Sequence, residues 1–343
     1  MSKFQLNITT TNQTETKERK VVDWNAMNEH VVEAAGTATK TRSIPGVISG
    51  VYDLGEQKLE DAAIPVTDDK FKQAFPEFDG SQEQQDAVIA KYANRTNVRF
   101  EKVDNKLCLR YVQNPVQQVA VSVDFPQILV DKGQFFGNSK PLPLRLLYNG
   151  EFTTPGDKTK IVGRPFNLRD TKHDLGNNKS VWAFAKNNGL HKFAAAAELL
   201  DENGLFNKER VGELIGKVVQ FQVRVWMKPA KTGDKKFFTE EISLVGIVPE
   251  GVAIPEVPEG LLHMVNLHGE NDAEAVKQMR VAIKNTMKRA LNYDTSSLKP
   301  VFEAEAASYG NKPADAAKDA VKEAVKAAEV TPVPVAFDDD IPF

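Results

Sequence analysis

Arg224 and Trp226 alternate with Val223 and Val225. Lys228, Lys231, Lys235 and Lys236 follow, and then Phe237-Phe238. If this stretch is a hairpin, cations and flat rings share one face. Cations track a phosphate backbone, and aromatic faces stack unpaired bases. A regular strand sends Phe237 and Phe238 to opposite faces, and Phe238 is assigned outward beside Arg224 and Trp226. An exposed, solubilising hairpin tip with buried rings fits the same pattern. A second cation–aromatic pair is Arg110-Tyr111. Weaker ones are Phe135-Phe136 and Arg164 with Phe166 and Arg169, where ordinary core plus surface is the competing reading.

Two further groups carry charge chemistry. On a helix, Lys277, Arg280, Lys284 and Lys288 form one stripe, and like charges so spaced repel by a few tenths of a kcal/mol per pair. A nearby anion, nucleic acid or an acidic segment of the same chain, is therefore expected there, unless acidic neighbours relieve a solvated face. The last six residues of the sequence are Asp338-Asp339-Asp340-Ile341-Pro342-Phe343. An acidic cluster ahead of an apolar residue, a proline and an aromatic residue bearing the α-carboxylate suits a partner with a basic rim and a hydrophobic pocket. An acidic solubilising tail needs neither Ile341 nor Phe343.

Catalytic patterns are weak. Gly150, Gly156, Lys158 and Thr159 approximate a phosphate-binding loop, but the glycine spacing is one residue too long and Asp157 interrupts the Gly-Lys-Thr order. His30, His173, His191, His263 and His268 are dispersed, and Cys108 is the single cysteine, so neither a zinc site nor a disulfide framework is expected. No serine sits in a nucleophile elbow. Scattered carboxylates leave a two-metal nuclease open as an alternative. The expectation is a non-enzyme without cofactor or metal.

The elements that must position these residues follow from periodicity. Phe4, Leu6 and Ile8 read as an opening strand, and Asp23–Ala35 as a short helix. Residues 36–80, rich in Gly, Pro and Asp, read as loops with short strands. Ser81–Ala93 reads as a helix with Ser81 as N-cap and Gln84 at the capping-box position. Strands are expected at Val98–Val103, Lys106–Val112, Val116–Phe125 and Ile161–Leu168, with turns at Asp104-Asn105 and Asn114-Pro115. Val181, Trp182, Phe184 and Ala185 suggest a helix packed on the core. Asn187-Asn188-Gly189 stops it, Leu190–Leu200 suggests another, and Glu209–Ile215 adds a turn or two. Lys217–Met227 and Phe237–Val248 form the clearest hairpin. Asp272–Tyr293 reads as one helix burying Val276, Met279, Ile283, Met287 and Ala290.

The expected fold is α+β, mainly β: an oligonucleotide-binding (OB) fold-like barrel with helical insertions, a C-terminal helix and a disordered acidic tail. A less regular α+β domain is the alternative. The expected division is an N-terminal elaboration (1–95), an OB-like core (96–260), a C-terminal helix region (261–302), a flexible linker (303–337) and the tip (338–343). Residues 301–343 carry a net charge of −5, leaving +2 on residues 1–300 within a total of −3. A mildly basic body with an acidic tail suits nucleic-acid contact through local patches only. The polar start, the lack of any apolar run of spanning length and the lone cysteine point to a cytoplasmic protein with no membrane partner.

Residues 338–343 resemble the C-terminal tip of bacterial single-stranded DNA-binding proteins (SSBs), which docks replication, recombination and repair enzymes. With this layout the chain resembles the divergent SSBs of bacterial viruses; beyond the tip the likeness is one of layout, not of residue motif. The resemblance implies a protein of the bacterial cytoplasm, at replicating DNA, that coats single strands, recruits enzymes and forms a possible homo-oligomer. The cellular family's tetramer and platform positions do not carry over. A recombination mediator or strand-annealing protein, a nuclease bearing an SSB-like tip, and a decoy that captures host enzymes remain alternatives.

Overall fold

The computed structural model describes residues 22–228, 237–256 and 259–310. Helix α1 (Trp24–Ala35) starts behind Asp23, whose carboxylate accepts from the Ala26 amide at 2.9 Å. It ends at Gly36 in the left-handed region. Its buried side, Val31, Val32 and Ala35, joins the main core. The expected opening strand at Phe4–Ile8 lies outside the described residues.

Residues 36–80 are not mostly loop. Strand β1 (Arg42–Gln57) runs for 16 residues and organises the molecule. The glycines that suggested loops are sites of close packing. A Cβ at Gly46 would come within 2.9 Å of Phe125, Val123 and Phe221, and one at Gly50 would strike Ser122 and Tyr52. Gly55, at φ 76°, stands at one of two register shifts where β1 bends.

After β1 comes an insertion with its own small core: β2 (Ala62–Pro65), α2 (Asp69–Ala74), α3 (Gln82–Lys91), β3 (Thr96–Val103) and β4 (Lys106–Val112). Ser81 caps α3 by accepting from the Gln84 amide at 3.4 Å, as expected. Ile64, Phe71, Val88, Leu109 and Tyr111 fill the space between the helices and the β2-β4-β3 sheet.

The chain then returns through β5 (Val116–Val130) and β6 (Leu142–Leu147), followed by the small β7 (Glu151–Thr153) with β8 (Lys160–Val162), and β9 (Phe166–Asn167). A separate hairpin, β10 (Thr171–Gly176) and β11 (Lys179–Ala183), stands where a helix was expected around Val181–Ala185. Asn177 and Asn178, both at positive φ, form its two-residue turn. Helix α4 (Gly189–Ala196) and a 3-10 turn at Lys208–Leu214 lead into β12 (Val218–Lys228) and β13 (Phe237–Gly246), then β14 (His263–Val265).

The large sheet has the order β13-β12-β1-β5-β6, all antiparallel, with β14 parallel to β1 and β9 on β5. Strand β1 pairs first β12 and then β14 along one edge, and β5 along the other. The sheet curls until its outer strands approach: the Tyr148 hydroxyl, one residue past β6, accepts from the Leu244 amide in β13 at 3.2 Å. Among the described residues no backbone ladder joins β13 to β6, so the molecule is α+β and mostly antiparallel strand, without a closed barrel.

The expected helix over Asp272–Tyr293 is two: α5 (Ala273–Gln278) and α6 (Val281–Met287), separated by extended backbone at Met279 and Arg280. The anticipated apolar face is nevertheless buried, with Val276, Met279, Ile283, Met287 and Ala290 against Tyr52, Leu54 and Leu267. The break turns the Arg280 side chain toward the sheet edges. Helix α7 (Lys299–Gly310) extends order past the expected linker start at 303, anchored by buried Phe302. Residues 311–343, and with them most of the linker and the whole tip, lie outside the described residues.

Candidate nucleic-acid interface

Strand β12 alternates as its sequence demands. Val219, Phe221, Val223 and Val225 are buried in the main core, while Gln222, Arg224, Trp226 and Lys228 take the other face. Register places Glu241 opposite Arg224, Thr239 opposite Trp226 and Phe237 opposite Lys228. Phe237 is therefore the outward ring, 61% exposed. The assignment of Phe238 is corrected: it packs against the core, with the Lys132 ammonium 5.7 Å from its centroid. The pairing register, invisible in the sequence, decides which of the two rings faces out. Lys231, Lys235 and Lys236 lie outside the described residues.

The Arg224 guanidinium sits 4.6 Å over the half-buried Trp226 ring. Its Nε is buried with no hydrogen-bond partner among the described residues. One face of the ring is thus already occupied by a cation. Beside the hairpin opens a cleft of about 520 Å³, where Glu151, Glu240 and Glu241 outnumber Lys160 and Arg280. It does not suit a phosphate chain.

Most of the other expected contacts are used inside the fold, while Lys277 and Lys288 stay exposed. Tyr111 is 5% exposed and lies against Tyr92 in the insertion core, so no base can reach its ring. Arg110 pairs with Asp61 at 3.5 Å and Glu101 at 3.2 Å. The basic stripe is dispersed by the break between α5 and α6. Lys277 pairs with Glu274 at 3.6 Å, and buried Lys284 donates to Glu305 of α7 at 2.8 and 2.9 Å. The Lys288 ammonium stands 5.5 Å from the Phe302 ring. Arg280 donates to Glu240 in β13 at 2.7 Å and to the Arg145 carbonyl in β6 at 2.5 Å, with Glu151 at 3.4 Å. Arg280 and Lys284 hold sheet edges and helices together, and the anions beside Lys277, Arg280 and Lys284 are carboxylates of the same chain. Burial alone would lower the Arg280 pKa, but Glu240 and Glu151 outweigh it and hold the guanidinium above its ordinary value.

Among the weaker candidates, Phe166 is buried against Tyr148 and Phe193. Phe136 is exposed, edge-on to Trp24 at 5.9 Å. Phe184 packs in the core as expected, but Trp182 does not: it is 61% exposed on β11. The missed signal is Asn177-Asn178, a hairpin turn between two short β-rich runs.

A polar network unseen in the sequence crosses β1, β5, β6 and β14. Asp124, 1% exposed, accepts from Arg145 at 2.7 and 2.9 Å and from Ser49 at 2.9 Å. Arg145 also donates to the Leu261 carbonyl at 2.7 Å and contacts His263 Nε2 at 3.0 Å. Burial would lower the Arg145 pKa, but its bonds to Asp124 raise it on balance. Burial, then Arg145, holds His263 below its ordinary value. Asp124 is satisfied on both oxygens and Ser49 is fully buried, so this cluster presents no reachable nucleophile.

Comparison with protein-family models, curated proteins and solved structures returns no match. Among the described residues no helix is long and apolar enough to cross a membrane.

Proposed function

We propose that this protein is a non-enzymatic, phage-type SSB. It binds single-stranded DNA with little regard to sequence during replication or recombination in a bacterial cell, and it recruits enzymes through Asp338–Phe343. The resemblance of those six residues to the SSB tip carries the reading. The curled, open sheet supports it: one long bent strand, β1, is shared by β12, β5 and β14, side chains bridge the outer strands, and we read this as an incomplete OB-like barrel. So does the outer face of the β12–β13 hairpin, where Arg224, Trp226, Lys228 and Phe237 combine cations with rings.

A gel-shift titration of single- against double-stranded oligonucleotides over a salt series tests the reading. Preference for the single strand, with affinity falling as salt rises, supports it. Equal affinity for duplex at moderate salt refutes the stacking argument. Mg²⁺-dependent cleavage points instead to a nuclease, and accelerated pairing of complementary strands to an annealing protein.

A further inference from the structure

We propose that the β10–β11 hairpin is a second single-strand contact, with Trp182 as its base-stacking platform and Lys172 and Lys179 as its phosphate partners. This rests on the single-strand reading above and places its principal ring where the sequence did not.

The hairpin stands as a two-stranded sheet of its own. Its register pairs Lys172 with Trp182 and Asp174 with Ser180, and all four are exposed on one face. The opposite face is fixed. His173 and Val181 are half-buried there, and His173 Nε2 lies 3.1 Å from the Phe184 carbonyl and 3.3 Å from that of Ala183. At the root, Ala183 and Phe184 are buried and the Phe184 amide donates to the Phe206 carbonyl at 2.9 Å. A hairpin anchored at its base and on one face holds its outer ring in place before any ligand arrives, which lowers the ordering cost of binding.

Two observations separate Trp182 from Trp226. Trp226 is half-buried and carries Arg224 on its ring, whereas among the described residues no ring or cation packs on Trp182. Both sides of the exposed indole are therefore less obstructed. The second is charge. The exposed ionisable side chains on and just beyond the hairpin are Lys172, Lys179 and Lys186 against Asp174; Lys172 stands beside Trp182, while Lys179, next to Ser180 at the turn, starts from the other face, so it is the hairpin as a whole that is net positive. An open π-face with one ammonium beside it, on a net positive hairpin, fits a chain of unpaired bases joined by phosphates. A duplex offers the phosphates but hides the base faces.

Fluorescence anisotropy with a labelled oligo(dT), on the full chain at fixed salt, tests this. Trp182→Ala is expected to weaken binding roughly tenfold or more, Trp182→Phe to retain part of the affinity, and Trp226→Ala to cost less than Trp182→Ala. Lys172→Ala with Lys179→Ala is expected to lower the slope of log affinity against log salt by up to about 1.4, near 0.7 per lost phosphate contact. In a Trp24→Phe, Trp226→Phe chain, which keeps only Trp182, oligo(dT) is expected to quench the emission; this arm does not depend on the alanine variant folding. If the wild type prefers single strands but Trp182→Ala binds normally and the emission is unmoved, the hairpin proposal fails while the single-strand reading stands. A Trp182→Ala chain that keeps its DNA affinity but loses self-association makes the ring a protein contact and overturns the proposal. A wild type without single-strand preference removes both.

Discussion

Replacing Arg280 separates a structural role from a DNA-binding one. Its guanidinium joins the two outer strands of the curled sheet, pairing Glu240 of β13 at 2.7 Å and capping the Arg145 carbonyl of β6 at 2.5 Å. Arg280→Ala leaves Glu240, only 11% exposed at its side chain, without this cation, and removes one donor from a backbone carbonyl. Removing one partner of a fully buried pair costs about 3–5 kcal/mol, whereas an exposed pair contributes at most about 1 kcal/mol. The Arg280 side chain keeps 26% of its accessible surface. Its loss is therefore placed between those limits, at about 2–3 kcal/mol. At roughly 2 °C per kcal/mol for a domain of this size, the melting midpoint falls by about 4–6 °C. Urea unfolding should show a lower midpoint with an unchanged slope. Arg280→Lys retains the charge but not the fork that spans both strands, so it should fall between. Adding Glu240→Gln to Arg280→Ala should recover part of the loss, because the stranded carboxylate is gone. An Arg280→Ala chain that melts with the wild type, yet binds oligo(dT) more weakly with a shallower salt slope, refutes the seam and restores Arg280 as a phosphate contact.

His263 is held below its ordinary value of 6.5 by burial and by Arg145, so on acidification the unfolded chain takes up the proton before the fold does. Its contribution to stability is complete above pH 6.5 and lost as pH falls below that value; urea midpoints from pH 7.5 to 5.5 should drop less steeply in His263→Gln. Trp226→Ala uncovers the Arg224 guanidinium and should cost about 1 kcal/mol of stability by urea titration; an unchanged midpoint would show the cation–ring contact to be idle. Removing residues 338–343 should leave oligo(dT) affinity equal or higher, most visibly at low salt, while abolishing capture of enzymes that bind SSB tips. Phe343→Ala alone should nearly match that loss of capture, and full retention by that variant would refute the tip reading.

Much of the local structure was legible. Ser81 caps its helix as expected, a helix runs to Ala35 as read from Asp23 onward, Asp104 and Asn105 adopt the positive φ of a tight turn, and β12 and β13 form the hairpin their alternation implies. The apolar face from Val276 to Ala290 is buried as read, although the helix carrying it is broken. The candidate site was legible only in part: Arg224, Trp226 and Lys228 share a face, but the outward ring is Phe237, and Tyr111 is core.

By itself the sequence determined where chain segments turn, which faces are apolar and how a cap or hairpin closes, because those depend on neighbours within a few residues. It also carries the charge asymmetry and the Asp338–Phe343 pattern, which need no fold to be seen. The tertiary structure alone decided which cations remain available. Arg280 and Lys284 look like surface charges until Glu240 and Glu305, distant in the chain, arrive beside them. Gly46 and Gly50 look like loop residues until Phe125 and Tyr52 close over them. Trp182 looks like core until the strand pairing turns it outward. In each case the deciding partner is set by strand register or helix docking, and the energy of those contacts outweighs the weak local preferences that a short stretch of sequence expresses.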